Sequence, residues 1–232
     1  MASAHTPLVG SVDDEPVRER LIRSAMELLA DAGPSELKVR TITDRAGVST
    51  ITIYHHFGGL QELLQEVVIR GYANLRAALL AASAARMNPG AQLFAMALST
   101  REVAQRNAHL YDMMFGLSTR GTYRYVASTN RMSTDGFGPA YAVLAATCEK
   151  LARTGVSPIA GEQMAAELWS LVHGFVTLEI SGQFADFTDP VATILEPMAV
   201  NHFVGMGYPR DLSEAGAKQA VRWWKRRQQS QP

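Results

Sequence analysis

Apolar residues recur along this chain with the three-to-four-residue spacing of helices, and no segment alternates with the period of two that marks a half-buried strand. The first stripe is Val17, Leu21, Ala25, Leu28 and Leu29. It opens behind Asp13-Asp14-Glu15-Pro16, acids and a proline where a helix N-terminus favours them, and stops at Gly33-Pro34. A second short helix is expected over Val39 to Ala46, burying Val39, Ile42 and Ala46, and a third from about Thr50 to His56. The fourth keeps Leu60, Leu63, Leu64, Val67, Val68, Tyr72, Leu75 and Leu79 on one stripe to about Arg86, before Asn88-Pro89-Gly90 breaks the chain. That helix would belong both to a small N-terminal module and to the C-terminal part of the chain. Further helices are expected over 91–106, 110–115, 139–153, 161–182 and 190–205, and 116–138 reads as a loop with room for one short helix. The fold class is therefore all-α.

The segment Ala46-Gly47-Val48-Ser49 joins the second and third helices too tightly for an ordinary loop. Gly47 suits the left-handed position that ends a helix, and Ser49 suits the N-cap of the next. The pair predicts a helix-turn-helix. The third helix is too short to be stable alone and is crowded with hydroxyl, phenol and imidazole groups, closed by Gly58-Gly59. A short polar helix braced by longer apolar ones is how helix-turn-helix proteins present side chains to the major groove.

Composition narrows the class further. The chain has 232 residues, 47% hydrophobic and 19% charged, with no apolar run long enough for a membrane span. Residues 1–15 lack the basic and apolar regions of a signal peptide and read as a flexible leader. The single Cys148 excludes an intrachain disulfide framework, suits a cytoplasmic setting and falls in an apolar pattern where it reads as core. His55 and His56 are adjacent, so on a helix their rings point about 100° apart, poor spacing for a shared metal. No metal or cofactor is expected. The formal net charge of zero argues against a general polyanion binder but leaves a local reading surface open.

Residues Val17 to Tyr72 resemble the TetR family of bacterial transcriptional regulators, through Ala25 and Leu29, Gly33, Ile42, Ala46-Gly47-Val48-Ser49, Ile53-Tyr54-His55-His56-Phe57 and Glu62-Leu63-Leu64. From about Leu93 to Phe184 the chain resembles the branch whose C-terminal domain carries a Trp…His-Gly signature, here Trp169, His173 and Gly174. The resemblance implies a homodimer with two DNA-binding heads, a small-molecule pocket in each C-terminal domain, and repression relieved when ligand shifts the heads out of register. It implies a head over 16–60, a ligand-binding and dimerisation domain over 61–207 and a tail over 208–232. Carried over by position, Arg40 is the first candidate for reading a guanine edge, Thr50 and Thr52 for base-edge hydrogen bonds, and Ile51 for a thymine methyl. Tyr54 and His56 would hold phosphates, although Tyr54 also reads as a residue packed at the helix edge. His55 is open between solvent, a structural hydrogen bond and DNA. Two positions depart from the family pattern. Leu60 stands where many members carry a phosphate-gripping Lys, and Ile51 where many carry Gly.

In the C-terminal part, Phe94, Met96, Leu110, Tyr111, Met113, Met114 and Phe115, with Tyr141 and also Tyr123 and Tyr125, form a set of large adaptable side chains suited to an apolar or amphipathic ligand. Core packing is the alternative for each. Trp169 and His173 join the ligand set, His173 reading either as a polar handle or as a satisfied core histidine. The segment 168–178 is apolar nearly all round, so it needs two partners, and one can be the same helix of a second subunit. With the helix after Pro190 it would make a four-helix dimer interface through Leu171, Gly174, Phe175, Leu178, Ile194, Leu195 and Met198. The tail segment Val221-Arg222-Trp223-Trp224-Lys225-Arg226-Arg227 reads as a basic, aromatic helix, packed on the domain or docked at DNA or a membrane surface. The partners expected are thus double-stranded operator DNA, a small-molecule effector and a second copy of the chain. Two alternatives remain: a helical ligand sensor whose head binds DNA weakly, and an all-α enzyme, for which no paired carboxylates, nucleophile elbow or phosphate loop stand out.

Overall fold

A computed structural model describes residues 15–116 and 136–230, and these are helices and turns with no strand among them. The expected leader, except its last residue Glu15, and the candidates Tyr123 and Tyr125 lie outside the described residues. The helices are α1 (Val17–Ala32), α2 (Val39–Ala46), α3 (Ile51–Phe57), α4 (Leu60–Ser83), α5 (Pro89–Arg106), α6 (Ala108–Phe115), α7 (Gly138–Ala152), α8 (Gly161–Ile180), α9 (Glu196–Gly205) and α10 (Arg210–Gln229). The chain divides into two compact units, one up to Val67 and one from Val68 onward, so the division falls within α4.

The N-terminal unit closes around one apolar core. Leu21, Ile22, Ala25 and Leu29 of α1 meet Ile42 and Ala46 of α2, Ile53 of α3 and Leu63, Leu64 and Val67 of α4, all buried. Gly47 ends α2 at φ 65° and ψ 38°, a left-handed conformation that costs other residues free energy. There the Val48 N–H donates to the Thr43 carbonyl at 3.0 Å. Ser49 acts differently from the expected side-chain N-cap. Its hydroxyl lies 3.1 Å from that of Thr52, and its carbonyl closes the first turn of α3 by accepting the Thr52 N–H at 3.0 Å.

In the C-terminal unit α5 is buried on nearly every face, and α7, α8 and α10 pack around it. Its start is set by Asn88, whose side chain accepts the Ala91 N–H at 2.9 Å, with Pro89 in the first turn. α4 accordingly ends at Ser83, short of Arg86. Asn107 starts α6 in the same way, accepting the Leu110 N–H at 2.9 Å. The helix expected from Pro190 opens as a widened π turn over Val191–Leu195 before α9. Pro197 explains it: proline has no N–H to donate and its ring crowds the carbonyl four residues back. Gly161 marks the closest approach of α8 to α7, since a Cβ there would sit 2.7 Å from the Glu149 Cα.

The tail is helix α10, packed along α5 and α9. The indole N–H of Trp224 donates to Glu102 at 3.1 Å, and the Arg227 guanidinium lies 5.0 Å above the Trp223 ring. Both tryptophans are thereby engaged by the chain itself. Cys148 is fully buried, and burial pushes its thiol up to about 12, as suits a core residue. No helix among the described residues is long and apolar enough to cross a membrane.

One ion pair ties α5 to α8. Arg101 Nε donates to both Glu179 oxygens at 3.0 and 2.8 Å, and its Nη2 donates to Oε1 at 2.8 Å, with side-chain exposures of 12% and 9%. Removing one partner leaves a nearly buried charge alone. Glu179→Ala is therefore expected to lower unfolding stability by about 3 kcal/mol, and the double change Arg101→Met with Glu179→Leu to recover most of it. Urea unfolding of the three proteins checks this, and equal loss in single and double variants would contradict it.

Candidate nucleic-acid interface and small-molecule pocket

α3 is anchored by Ile53, which is fully buried, and helical geometry then turns its neighbours outward. Ile51 is 72% exposed and Tyr54 56%. An isoleucine and a tyrosine held in water on a seven-residue helix have no packing role. Thr50, His55 and His56 are exposed as well, and the two imidazoles meet edge to face with centroids 5.0 Å apart. Thr52 is half-buried and its hydroxyl is shared with Ser49. Phe57 lies under the Arg18 guanidinium at 5.1 Å. Among the described residues no cluster of metal-ligating side chains forms.

Charge on this unit is mostly neutralised internally. Arg18 pairs with Glu66 at 2.9 Å, Arg23 with Glu15 at 2.8 Å and Glu27 at 3.0 Å, and Arg45 with Asp31 at 2.6 Å and Glu27 at 3.2 Å. Arg40 differs. Its side chain is 88% exposed and meets Asp44 only at 3.8 Å, a loose surface pair worth little and readily exchanged. Leu60 is half-buried at the first turn of α4 and offers no charge.

The C-terminal candidates separate into two groups. Phe94 and Met96 line a cavity with Leu79, Leu93, Leu144, Leu168 and Phe203, and Phe94 stacks on Phe203 at 4.8 Å. The cavity encloses about 20 Å³, room for one water and no organic ligand. Leu110, Tyr111, Met114, Phe115, Tyr141 and His173 gather elsewhere, with Tyr72 and Phe137. Phe137 lies 4.6 Å from Trp169 and 5.6 Å from Tyr141, and Phe115 lies 4.8 Å from both Tyr111 and His173. Trp169 joins the groups, lining the cavity and stacking on His173 at 5.4 Å and 19°. α4 approaches this cluster through Gly71, where a Cβ would meet the Met114 sulfur at 2.6 Å, and through the Tyr72 hydroxyl, which donates to the Met114 carbonyl. Sequence reasoning missed Phe137, set between two glycines that read as loop, and placed Tyr72 on a core stripe.

The polar centre of the cluster is one hydrogen bond, Tyr111 hydroxyl to His173 Nδ1 at 2.8 Å. Tyr111 is fully buried, and Nδ1 is its hydroxyl's hydrogen-bond partner among the described residues. A proton on Nδ1 would leave the phenol O–H without an acceptor, at about 1–3 kcal/mol. The phenol therefore donates, and His173 is neutral with its proton on Nε2. Burial acts the same way on both groups, raising the Tyr111 pKa and lowering that of His173.

The seven candidates for a subunit interface do not share one face. Leu171 is half-buried, Gly174 exposed and Leu178 47% exposed, with Ile194 and Met198 half-buried. Phe175 and Leu195, expected at the interface, are instead sealed in the chain's own core, Phe175 stacked on Phe184 at 5.3 Å. Helical pitch is the reason: Leu171, Gly174 and Leu178 follow one line along α8, while Leu168, Val172, Phe175 and Val176 are centred roughly 110° round the helix, with Phe175 on the side turned inward.

A tight helix-turn-helix with an outward polar face, followed by a helical unit with an apolar cavity, defines a DNA-binding regulator. Residues 21–67 match the bacterial regulatory proteins of the tetR family, and residues 93–201 match the tetracyclin repressor-like C-terminal domain. An uncharacterized HTH-type transcriptional regulator of Mycobacterium tuberculosis is 30% identical over 182 residues, 76% of each chain. The chain belongs to the TetR family of transcriptional regulators. Solved structures share its fold: a protein of unknown function from a Rhodococcus species (TM-score 0.69, 21% identity, 84% of this chain and 98% of that one); RolR in complex with resorcinol (0.58, 16%, 89% and 93%); and a gamma-butyrolactone receptor (0.57, 14%, 90% and 97%).

The neutral His173 has a consequence for pH. The unfolded chain takes up a proton near 6.5, whereas in the fold burial holds the imidazole below that value. Its contribution is therefore unchanged above that pH and falls as the pH drops through it. The loss of melting temperature between about pH 7 and about pH 5 is expected to be smaller in His173→Phe than in the parent protein. Parallel melting curves would contradict the assignment.

Proposed function

We propose that the protein is a homodimeric repressor that binds a palindromic operator and is released from it by a small apolar or amphipathic ligand, with no catalysis of its own. The observation that carries the DNA-reading part is the outward set of Arg40, Ile51 and Tyr54 around a fully buried Ile53. Arg40 reads a guanine edge, Ile51 packs on a thymine methyl, Thr50 and Thr52 contact base edges, and Tyr54, His55 and His56 fix the register on phosphates. Two heads then read half-sites about one helical turn, roughly 34–36 Å, apart or a multiple of it. The head occupies residues 16–60, the ligand and dimer functions 61–207, and the tail 208–232 braces α5. Trp169, His173 and Gly174 support a reading of the chain as a member of the branch with that C-terminal signature.

The ligand part rests on the cavity and the aromatic cluster. Because the cavity holds about one water, a bound organic molecule has to displace side chains and helices, and that displacement is the signal. α4 feels it directly through Gly71 and Tyr72 against α6 and continues into the head. RolR was solved with resorcinol and another structural relative is a gamma-butyrolactone receptor, which supports a small-molecule effector here. The dimer face is the outward line of Leu171, Gly174 and Leu178 with Ile194 and Met198. A second reading, a sensor with weak DNA binding, is favoured by the internally paired cations of the head and by Leu60.

Genomic fragments selected on the protein at near-physiological salt test these readings. A shared inverted repeat is expected, and no enrichment over competitor DNA favours the weak-binding sensor. Arg40→Ala and Tyr54→Ala are each expected to weaken operator binding by about tenfold or more while the dimer persists. Unchanged affinity in both would overturn the assigned reading surface. Leu178→Glu combined with Met198→Glu is expected to yield monomers by analytical ultracentrifugation, and a persisting dimer would move the interface elsewhere.

A further inference from the structure

The aromatic cluster has one directional polar group in an otherwise apolar wall. His173 is held as the Nε2–H tautomer by the buried phenol of Tyr111 at 2.8 Å. Its Nε2 has no hydrogen-bond partner among the described residues. His173 itself is half-buried, neither part of the sealed core nor on the open surface. The walls beside it are the half-buried rings of Phe115, Phe137, Tyr141 and Trp169, in contact at centroid distances of 4.6 to 5.6 Å. Half-buried aromatic faces leave stacking surface free for another ring. The rings of this wall are neutral, and the charges that act on its tyrosines are carboxylates, Asp112 on Tyr111 and Glu162 on Tyr141, so nothing in it balances an anionic ligand. A cation would also face the Nε2 proton.

Resting on the reading of this region as the ligand site, we infer that the effector is a neutral, flat aromatic molecule bearing an acceptor oxygen, such as a carbonyl. The Nε2–H of His173 grips that oxygen while the ring stacks on the wall of Trp169 and Phe137. Tyr111 is a positioning residue: it touches no ligand and acts by keeping the donor of His173 turned outward. A site built around one donor discriminates by that donor, because an analogue of equal shape without the oxygen leaves the N–H unpaired.

Three probes of nearly equal size separate the contributions: acetophenone, cumene with the carbonyl replaced by a branched hydrocarbon, and benzoate with a charge. Calorimetric titration of the full-length protein is expected to give acetophenone about tenfold tighter binding than cumene, and benzoate the weakest. His173→Phe keeps a ring in place and removes the donor, so acetophenone and cumene should then bind alike. Tyr111→Phe frees the tautomer and should cut the preference to a few-fold. Circular dichroism melting and operator binding identify any variant that has lost its fold, and in that case His173→Gln, which retains a side-chain N–H, should keep the preference. Equal binding of acetophenone and cumene by the parent protein overturns the donor inference and leaves the ligand site standing. Tightest binding of benzoate overturns the neutral class. Binding of none of the three overturns the ligand site and this inference together, while the reading of the DNA face is decided separately by the operator selection.

Discussion

A helix of seven residues cannot hold itself together in water, because nucleation fixes several residues for very few hydrogen bonds. α3 therefore exists only because Ile53 is sunk into the core of α1, α2 and α4, and because Gly47 turns the chain through a left-handed conformation before it. The outward face of α3 follows from that single anchoring. With Ile53 inward, the pitch of the helix leaves Ile51, Tyr54 and His55 in water, and Arg40 is likewise exposed at the start of α2. The rest of the N-terminal unit supplies rigidity: ion pairs such as Arg45 with Asp31 and Glu27 tie α2 to α1. Those pairs also consume cations, so this unit carries little general positive field.

The C-terminal unit is organised by an opposite constraint. Its centre, α5, is buried almost all round, and the apolar cavity beside it has room for about one water. With near-crystalline packing, a change in the volume of such a cavity is passed on to helices and not absorbed locally. Gly71 is where passing on is easiest to see, since the absence of a side chain lets Met114 sit against α4. The buried pair of Arg101 and Glu179 holds α5 to α8 so that neither slides freely. A dyad of phenol and imidazole inside an aromatic cluster then gives an otherwise featureless apolar site one directional contact.

Much of this was legible in the chain alone, and the limits have physical causes. The number and order of helices followed from apolar spacing, because that spacing is a local property of each segment. The helix-turn-helix was readable for the same reason: Gly47 and Gly58 end their helices through their own left-handed backbone. Where local signals compete, boundaries moved. Asn88 started α5 early at the expense of the end of α4, and Pro197 widened the turn before it. Phe175 and Leu195 were assigned to a subunit interface because an all-round apolar helix does not say which of its faces meets its own chain.

The order of residues alone carried the all-α class and the membership of the helix-turn-helix regulators, because apolar spacing and the glycine turn act within a turn or two of chain. Tertiary packing was needed to settle the bond between Tyr111 and His173, the ion pair of Arg101 with Glu179 and the division of the ligand candidates between a closed cavity and an aromatic cluster. Those contacts join residues 62 and 78 positions apart, and no local pattern encodes which distant helix faces will be pressed together.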